Sequence, residues 1–145
     1  DVVSEKKYSD RIIETLRKYH NRAIETAQVI EELIKMAKEM ADDAELAENS
    51  GLNNDEIAFY RALIQNESAV KELGDNNLRE LAIYITAQLR KSTTVDWQVR
   101  DSVRAKLRNL VRRALRKWKY PPDKADEAIE LCLKQAEALS NSWSE

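Results

Sequence analysis

The chain has 145 residues, 34% of them charged and 43% hydrophobic, with a formal net charge of −2. It is long enough to bury one core without staples, and its balance is not that of a free-standing nucleic-acid binder. Two Gly and two Pro are too few turn-formers for a sheet protein, whereas abundant Ala, Leu, Glu, Lys, Arg and Gln favour helices.

From Ser9 to Ala47 nothing interrupts a helical pattern. Ile13, Leu16, Ala23, Ala27, Ile30, Ile34, Ala37, Ala41 and Ala44 recur mostly three or four residues apart, which predicts a long amphipathic helix, bent or split near "YHNR". Ser9 or Asp10 suits its cap, and Gly51 supplies a left-handed stop. Asn53 or Asn54 caps a second helix carrying Ile57, Tyr60, Leu63 and Ile64, with Glu56 placed for a capping box. A short turn, "ESAVKELG", ends at Gly74. Asp75 or Asn76 then opens a helix with Leu78, Leu81, Ala82, Ile85 and Leu89 inward. "KSTTVD" reads as a loop. Thr94 or Asp96 caps a helix from about Trp97 to Lys119, which Pro121 and Pro122 end. A last helix runs from near Asp123 to about Leu139 and buries Ala128, Leu131, Cys132 and Leu139; residues 140–145 form a frayed tail. The expected fold is all-α: one helical domain of five to six helices, a long N-terminal helix packed against shorter ones, each hiding a stripe it cannot bury alone.

Sites for chemistry are scarce. His20 is the single histidine and reads as a surface or packing residue. Cys132 cannot form an internal disulfide and sits on an apolar stripe, as a core thiol in a reducing compartment would. No Cys/His zinc pattern, Gly-rich phosphate loop or Ser/His/Asp set can be assembled. Asp42, Asp43, Glu45 and Glu48 read as a solvated face rather than a metal site. Trp97, Trp118 and Trp143 could stack bases, although packing explains Trp97 and Trp118 equally well and Trp143 lies in the tail. Neither a signal peptide nor a long apolar span is present, which leaves a soluble chain with no membrane partner.

Charge separates sharply. Residues 90–119 hold eleven basic and two acidic residues, a balance of +9, whereas the rest holds thirteen basic and twenty-four acidic. On a helical wheel Val99, Val103, Leu107, Leu110, Val111, Ala114 and Trp118 share one arc. Arg104, Arg108, Arg112, Arg116 and Lys119 lie beside it, and Lys106, Arg113 and Lys117 complete the opposite arc. No acid falls between Arg104 and Lys119, so these cations repel one another unless an anionic partner is near. Arg104, Arg108, Arg112, Arg113, Arg116, Lys117 and Lys119 are the candidate contacts. Their partner is either duplex phosphate, which suits the forked arginine donors, or an acidic protein surface, such as the chain's own Glu-rich first helix or another subunit.

Five stretches stand in a fixed order: "AFYRAL" (Ala58 to Leu63), "NESAVKELGD" (Asn66 to Asp75), "TVDW" (Thr94 to Trp97), "VRAKLR" (Val103 to Arg108) and "YPPDKADEAIE" (Tyr120 to Glu130). With "AKEMADDAEL" before them, roughly Ile30 to Glu137 resembles the C-terminal region of the motor (restriction) subunit of type I restriction-modification enzymes. Lys119 stands where that family has a small residue. The resemblance implies a non-catalytic helical segment of a larger cytoplasmic subunit, bacterial or archaeal. That subunit would translocate and cleave DNA with ATP and magnesium, neither bound by this segment. The expected partners are the methyltransferase subunit and duplex DNA, or, on the alternative reading, protein alone.

Overall fold

The computed structural model describes residues 1–92 and 101–143. Among these residues the chain forms six α-helices and one 3-10 turn, with no strand. The helices are α1 (Val2–His20), α2 (Thr26–Asn49), α3 (Asn54–Leu63), α4 (Glu67–Ser92), α5 (Asp101–Lys117) and α6 (Ala125–Trp143), with the 3-10 turn at Pro122–Lys124. The chain divides into two compact units, Ser4–Gly51 and Asp1–Val3 with Leu52–Glu145.

The first unit is a helical hairpin. The split expected near "YHNR" falls there, because Arg22 takes a left-handed backbone with φ +58°. The Arg22 amide donates to the Tyr19 carbonyl and the Ala23 amide to the Lys18 carbonyl, the bond pair that closes a helix whose next residue is left-handed. Ser9 and Asp10, expected as caps, lie inside α1, which already starts at Val2. Few side chains are sealed between α1 and α2: Tyr8, Thr15 and Met36 are buried. Polar bonds supplement them. The Tyr8 hydroxyl donates to Asp43 at 2.5 Å, and Arg11 bridges Glu32, at 2.7 Å, and Glu39. The Arg11 hydrogen bond holds the Glu32 carboxyl below the usual carboxylate range. Gly51 ends the hairpin with φ +80°, as expected.

In the second unit four helices form a ring: α3 packs on α4 and α6, and α5 on α4 and α6. Phe59, Leu63, Leu78, Leu81, Ile85, Leu89, Leu107, Val111, Leu133 and Cys132 fill its centre. Burial pushes the Cys132 thiol up to about 12, so it is a packing group and not a nucleophile at neutral pH. Asn53 caps α3, accepting from the Glu56 amide at 2.8 Å while the Glu56 carboxylate accepts from the Asn53 amide at 2.9 Å. "ESAVKELG", expected as a short turn, is instead the first part of α4. Gly74 kinks that helix with φ +78° and ψ 165°, a backbone only glycine adopts easily. Asp75, directly after the kink, accepts from the Tyr60 hydroxyl and pairs with Arg79 at 2.7 Å.

"YPPD" ties four helix ends together. The Tyr120 hydroxyl donates to the carbonyl of Leu63, the last residue of α3, at 2.7 Å. Burial pushes that phenol up to about 12. Asp123 accepts from Asn66 at 3.3 Å and from the Ser68 hydroxyl at 3.1 Å, while Asn66 itself accepts from the Ser68 amide at the start of α4. At the end of α5 the Tyr120 amide donates to the Leu115 carbonyl and the Lys119 amide to the Arg116 carbonyl. Lys119 has φ +59°. It therefore occupies the left-handed position that glycine fills most cheaply, which explains why a small residue is expected there. The last helix continues through Trp143 and does not stop at Leu139. "TVDW" and the expected cap at Thr94 or Asp96 lie outside the described residues.

Two outcomes follow from these backbones. Lys119→Gly should raise stability by about 0.5–1 kcal/mol, and Gly74→Ala should lower it by about 1–3 kcal/mol, in urea unfolding monitored by circular dichroism. Equal and like-signed effects would contradict the assigned conformations. Local desolvation pushes the exposed Asp123 carboxyl upward, but donation from Asn66, Ser68 and nearby amides outweighs it, and the net shift is downward. A depressed carboxylate stabilises the fold above its unfolded value near about 4, and that contribution is lost as pH falls through the folded value. Thermal melts from neutral to strongly acid pH should therefore show an acid-induced loss that Asp123→Ala reduces.

Candidate nucleic-acid interface

α5 is built from a sequence in which every third or fourth residue is apolar and nearly all the others are basic. Leu107, Val111, Ala114 and Leu115 are buried against the ring core, and the helix enters with Val103 and Leu110 packed at its edge. That burial sets the roll of the helix, and the roll decides where each cation points.

The seven candidate contacts do not share one environment. Arg104 lies 3.7 Å from Glu137, and the Arg108 guanidinium donates to Glu130 at 3.0 Å. Both acids stand on α6, seven residues apart, so they lie on one face of that helix. Arg112 is half-buried and donates to Asn109 at 3.1 Å. Lys117 holds its ammonium 4.7 Å from the Tyr84 ring centre and 5.2 Å from that of Trp118. Those two rings pack 4.9 Å apart at 44°, which gives Trp118 a packing role beside the core. Arg113, Arg116 and Lys119 are exposed.

Sequence reasoning points to the Glu-rich first helix as an internal source of negative charge. The carboxylates that meet α5 come from the last helix. Glu130 and Glu137 are legible in the sequence as an i, i+7 pair, and Arg104 and Arg108 as an i, i+4 pair. What the sequence does not state is that α5 and α6 lie side by side. Sequence reasoning likewise misses Tyr84, the seat of Lys117, because only tertiary packing sets α4 beside the end of α5.

The remaining candidates have plain environments. His20 is exposed at the end of α1, its ring 6.0 Å from that of Tyr19. Asp43 is engaged by Tyr8, and among the described residues no group of three or more His, Cys, Asp or Glu side chains gathers where it could hold a metal ion. No described helix is long and apolar enough to cross a membrane. Trp97 lies outside the described residues.

The family model for the C-terminal region of type I restriction enzyme HindI endonuclease subunit-like proteins matches residues 1–142, and the chain belongs to that family. It is 46% identical over 136 residues to the type I restriction enzyme HindI endonuclease subunit of Haemophilus influenzae, covering 94% of this chain and 13% of that protein. Against a Methanocaldococcus jannaschii protein given by name as a type I restriction enzyme MjaIXP endonuclease subunit, identity is 32% over 110 residues, covering 71% of this chain and 10% of the relative. The chain thus spans roughly a tenth of the length of the curated relatives it matches. No solved structure matches it.

The Arg108–Glu130 pair is more than a third exposed on both sides, and exposed pairs contribute little. A double-mutant cycle of Arg108→Ala and Glu130→Ala, read by thermal unfolding, should give a coupling of about 0.2–1 kcal/mol. A coupling several times larger would mean that the pair, and not the apolar stripe, orients α5.

Proposed function

We propose that this chain is the part of a type I restriction endonuclease subunit that docks on the methyltransferase core and touches duplex DNA through α5, with no reaction of its own. The observation that carries the reading is an exposed cationic helix surface on a chain of this family. In the proposed setting the parent subunit supplies translocation and cleavage, with ATP and magnesium, in the cytoplasm of a bacterium or archaeon.

Docking has separate support in the hairpin. Ile30, Leu33, Ile34 and Met40 are each close to half exposed, and on a helical wheel they share an arc of about 120° with Ala37, Ala41 and Ala44. Ile12, Leu16 and Tyr19 of α1 are exposed to a similar degree. Apolar surface of this extent fits a protein contact better than water.

A second reading sends α5 to an acidic protein surface without DNA. It is favoured by Arg104 and Arg108, which already pair with carboxylates.

Two measurements on the purified chain separate these readings. Fluorescence anisotropy against duplex DNA at low salt should show binding that weakens steeply as salt rises. Pull-down of the methyltransferase core should succeed without DNA and fail when Leu33 and Ile34 are both changed to Glu. Absence of DNA binding at low salt would remove the DNA half. Retention of the core by the double variant would remove the hairpin from docking.

A further inference from the structure

The cations of α5 fall into two groups whose division differs from the one the helical wheel gives. Toward α6, Arg104 and Arg108 face Glu137 and Glu130, so on that side carboxylates offset both cations. On the opposite side Lys106, Arg113 and Arg116 are exposed, separated by the neutral Asn109. Taking about 100° per residue, Lys106, Asn109, Arg113 and Arg116 fall within an arc of about 80°. They form a ridge about 15 Å long, since Lys106 and Arg116 are ten residues apart at about 1.5 Å each. Lys117 adjoins that ridge, and its seat over Tyr84 and Trp118 fixes its position without neutralising its charge.

We infer that the phosphate contacts of this domain are Lys106, Arg113 and Arg116, backed by Lys117, and that Arg104 and Arg108 instead fasten α5 to α6. The inference rests on the DNA half of the proposed function and sharpens it. It adds Lys106 to the candidate contacts and leaves out Arg104, Arg108, Arg112 and Lys119. Duplex DNA would lie along α5 on the side away from α6, because Glu130 and Glu137 repel phosphate on the other side.

Three physical points favour a nucleic-acid backbone over a protein here. First, the ridge has no apolar centre. The large hydrophobic side chains that the described residues expose lie on α1, α2 and α4, with none on α5, and a stable protein interface normally has a buried apolar middle. Second, two of the three ridge residues are arginines with no acid set against them among the described residues, and their forked donors suit phosphate oxygens. Third, a duplex carries one phosphate per about 1.7 Å of axis, so a straight ridge of about 15 Å passes several phosphates in any sequence. The contact would therefore be indifferent to base sequence, as suits a subunit that moves along DNA.

The test uses the 145-residue chain and a duplex of arbitrary sequence, with anisotropy followed over a potassium chloride series. Circular dichroism melts check that each variant is folded. The triple variant Lys106→Ala, Arg113→Ala, Arg116→Ala should melt like the parent and bind at least about tenfold more weakly at low salt. Its slope of log affinity against log salt should be shallower by about 0.9 for each phosphate the variant no longer neutralises. The double variant Arg104→Ala, Arg108→Ala should melt slightly lower and bind within about twofold of the parent. If the double variant loses as much affinity as the triple, or the triple binds like the parent, the ridge assignment is overturned while DNA binding stands. Failure of the parent chain to bind duplex DNA at low salt would overturn both. Loss of methyltransferase-core capture by the triple variant, with its DNA affinity unchanged, would assign the ridge to an acidic protein surface and overturn the inference.

Discussion

The hydroxyl of Tyr120 reaching the carbonyl of Leu63 is the contact around which the larger unit is arranged. A helix leaves its last carbonyls without partners, and here the residue just past the end of α5 satisfies one at the end of α3. Three residues later Asp123 takes hydrogen bonds from Asn66 and Ser68 at the start of α4, and the chain then turns through Pro122–Lys124 into α6. Four helix termini are thus joined by side chains from two short stretches, "NES" and "YPPD". These stretches are among those that carry the family resemblance, and their work here is structural.

The joint determines what α5 can do. With its C-terminal end held at Tyr120 and its apolar side against α4 and α6, the helix has one roll available. That roll presents Lys106, Arg113 and Arg116 outward and brings Arg104 and Arg108 against the acids of α6. A positive helix in an acidic chain is therefore partly neutralised by its neighbour. The field that remains is narrower and more directional than the balance of residues 90–119 suggests. The exposed apolar residues gather mainly on the hairpin instead, so charge and apolar surface belong to different units of the chain.

The element pattern is largely legible in the sequence because helix physics is local. The Asn53–Glu56 box and the stop at Gly51 each act within a turn or two and appear as expected, whereas α5 ends at Lys117, before Pro121, and Ile13, Leu16, Ile30 and Ile34 of the expected first stripe stay exposed. The departures have equally local causes. Composition makes Gly74 the end of a turn; the residues before it are helical instead, and Gly74, with its non-helical backbone, ends that short stretch where the next helix is expected to open. The stop of α1 at Arg22 and that of α5 at Lys119 cannot be read from propensity, since neither arginine nor lysine favours a left-handed backbone. Tertiary and hydrogen-bond context imposes it at both places.

The sequence by itself determined the all-α class, the apolar and basic sides of α5, and the family, since periodicity and motif order need no knowledge of which helices meet. Only the tertiary structure decided which cations remain available. Pairing across helices depends on the packing of α5 beside α6, which follows from burial summed over the whole ring core. No window of sequence contains that sum, and so Arg104 and Arg116, which the helical wheel sets together beside the apolar arc, differ in the fold: one meets Glu137 and the other is exposed.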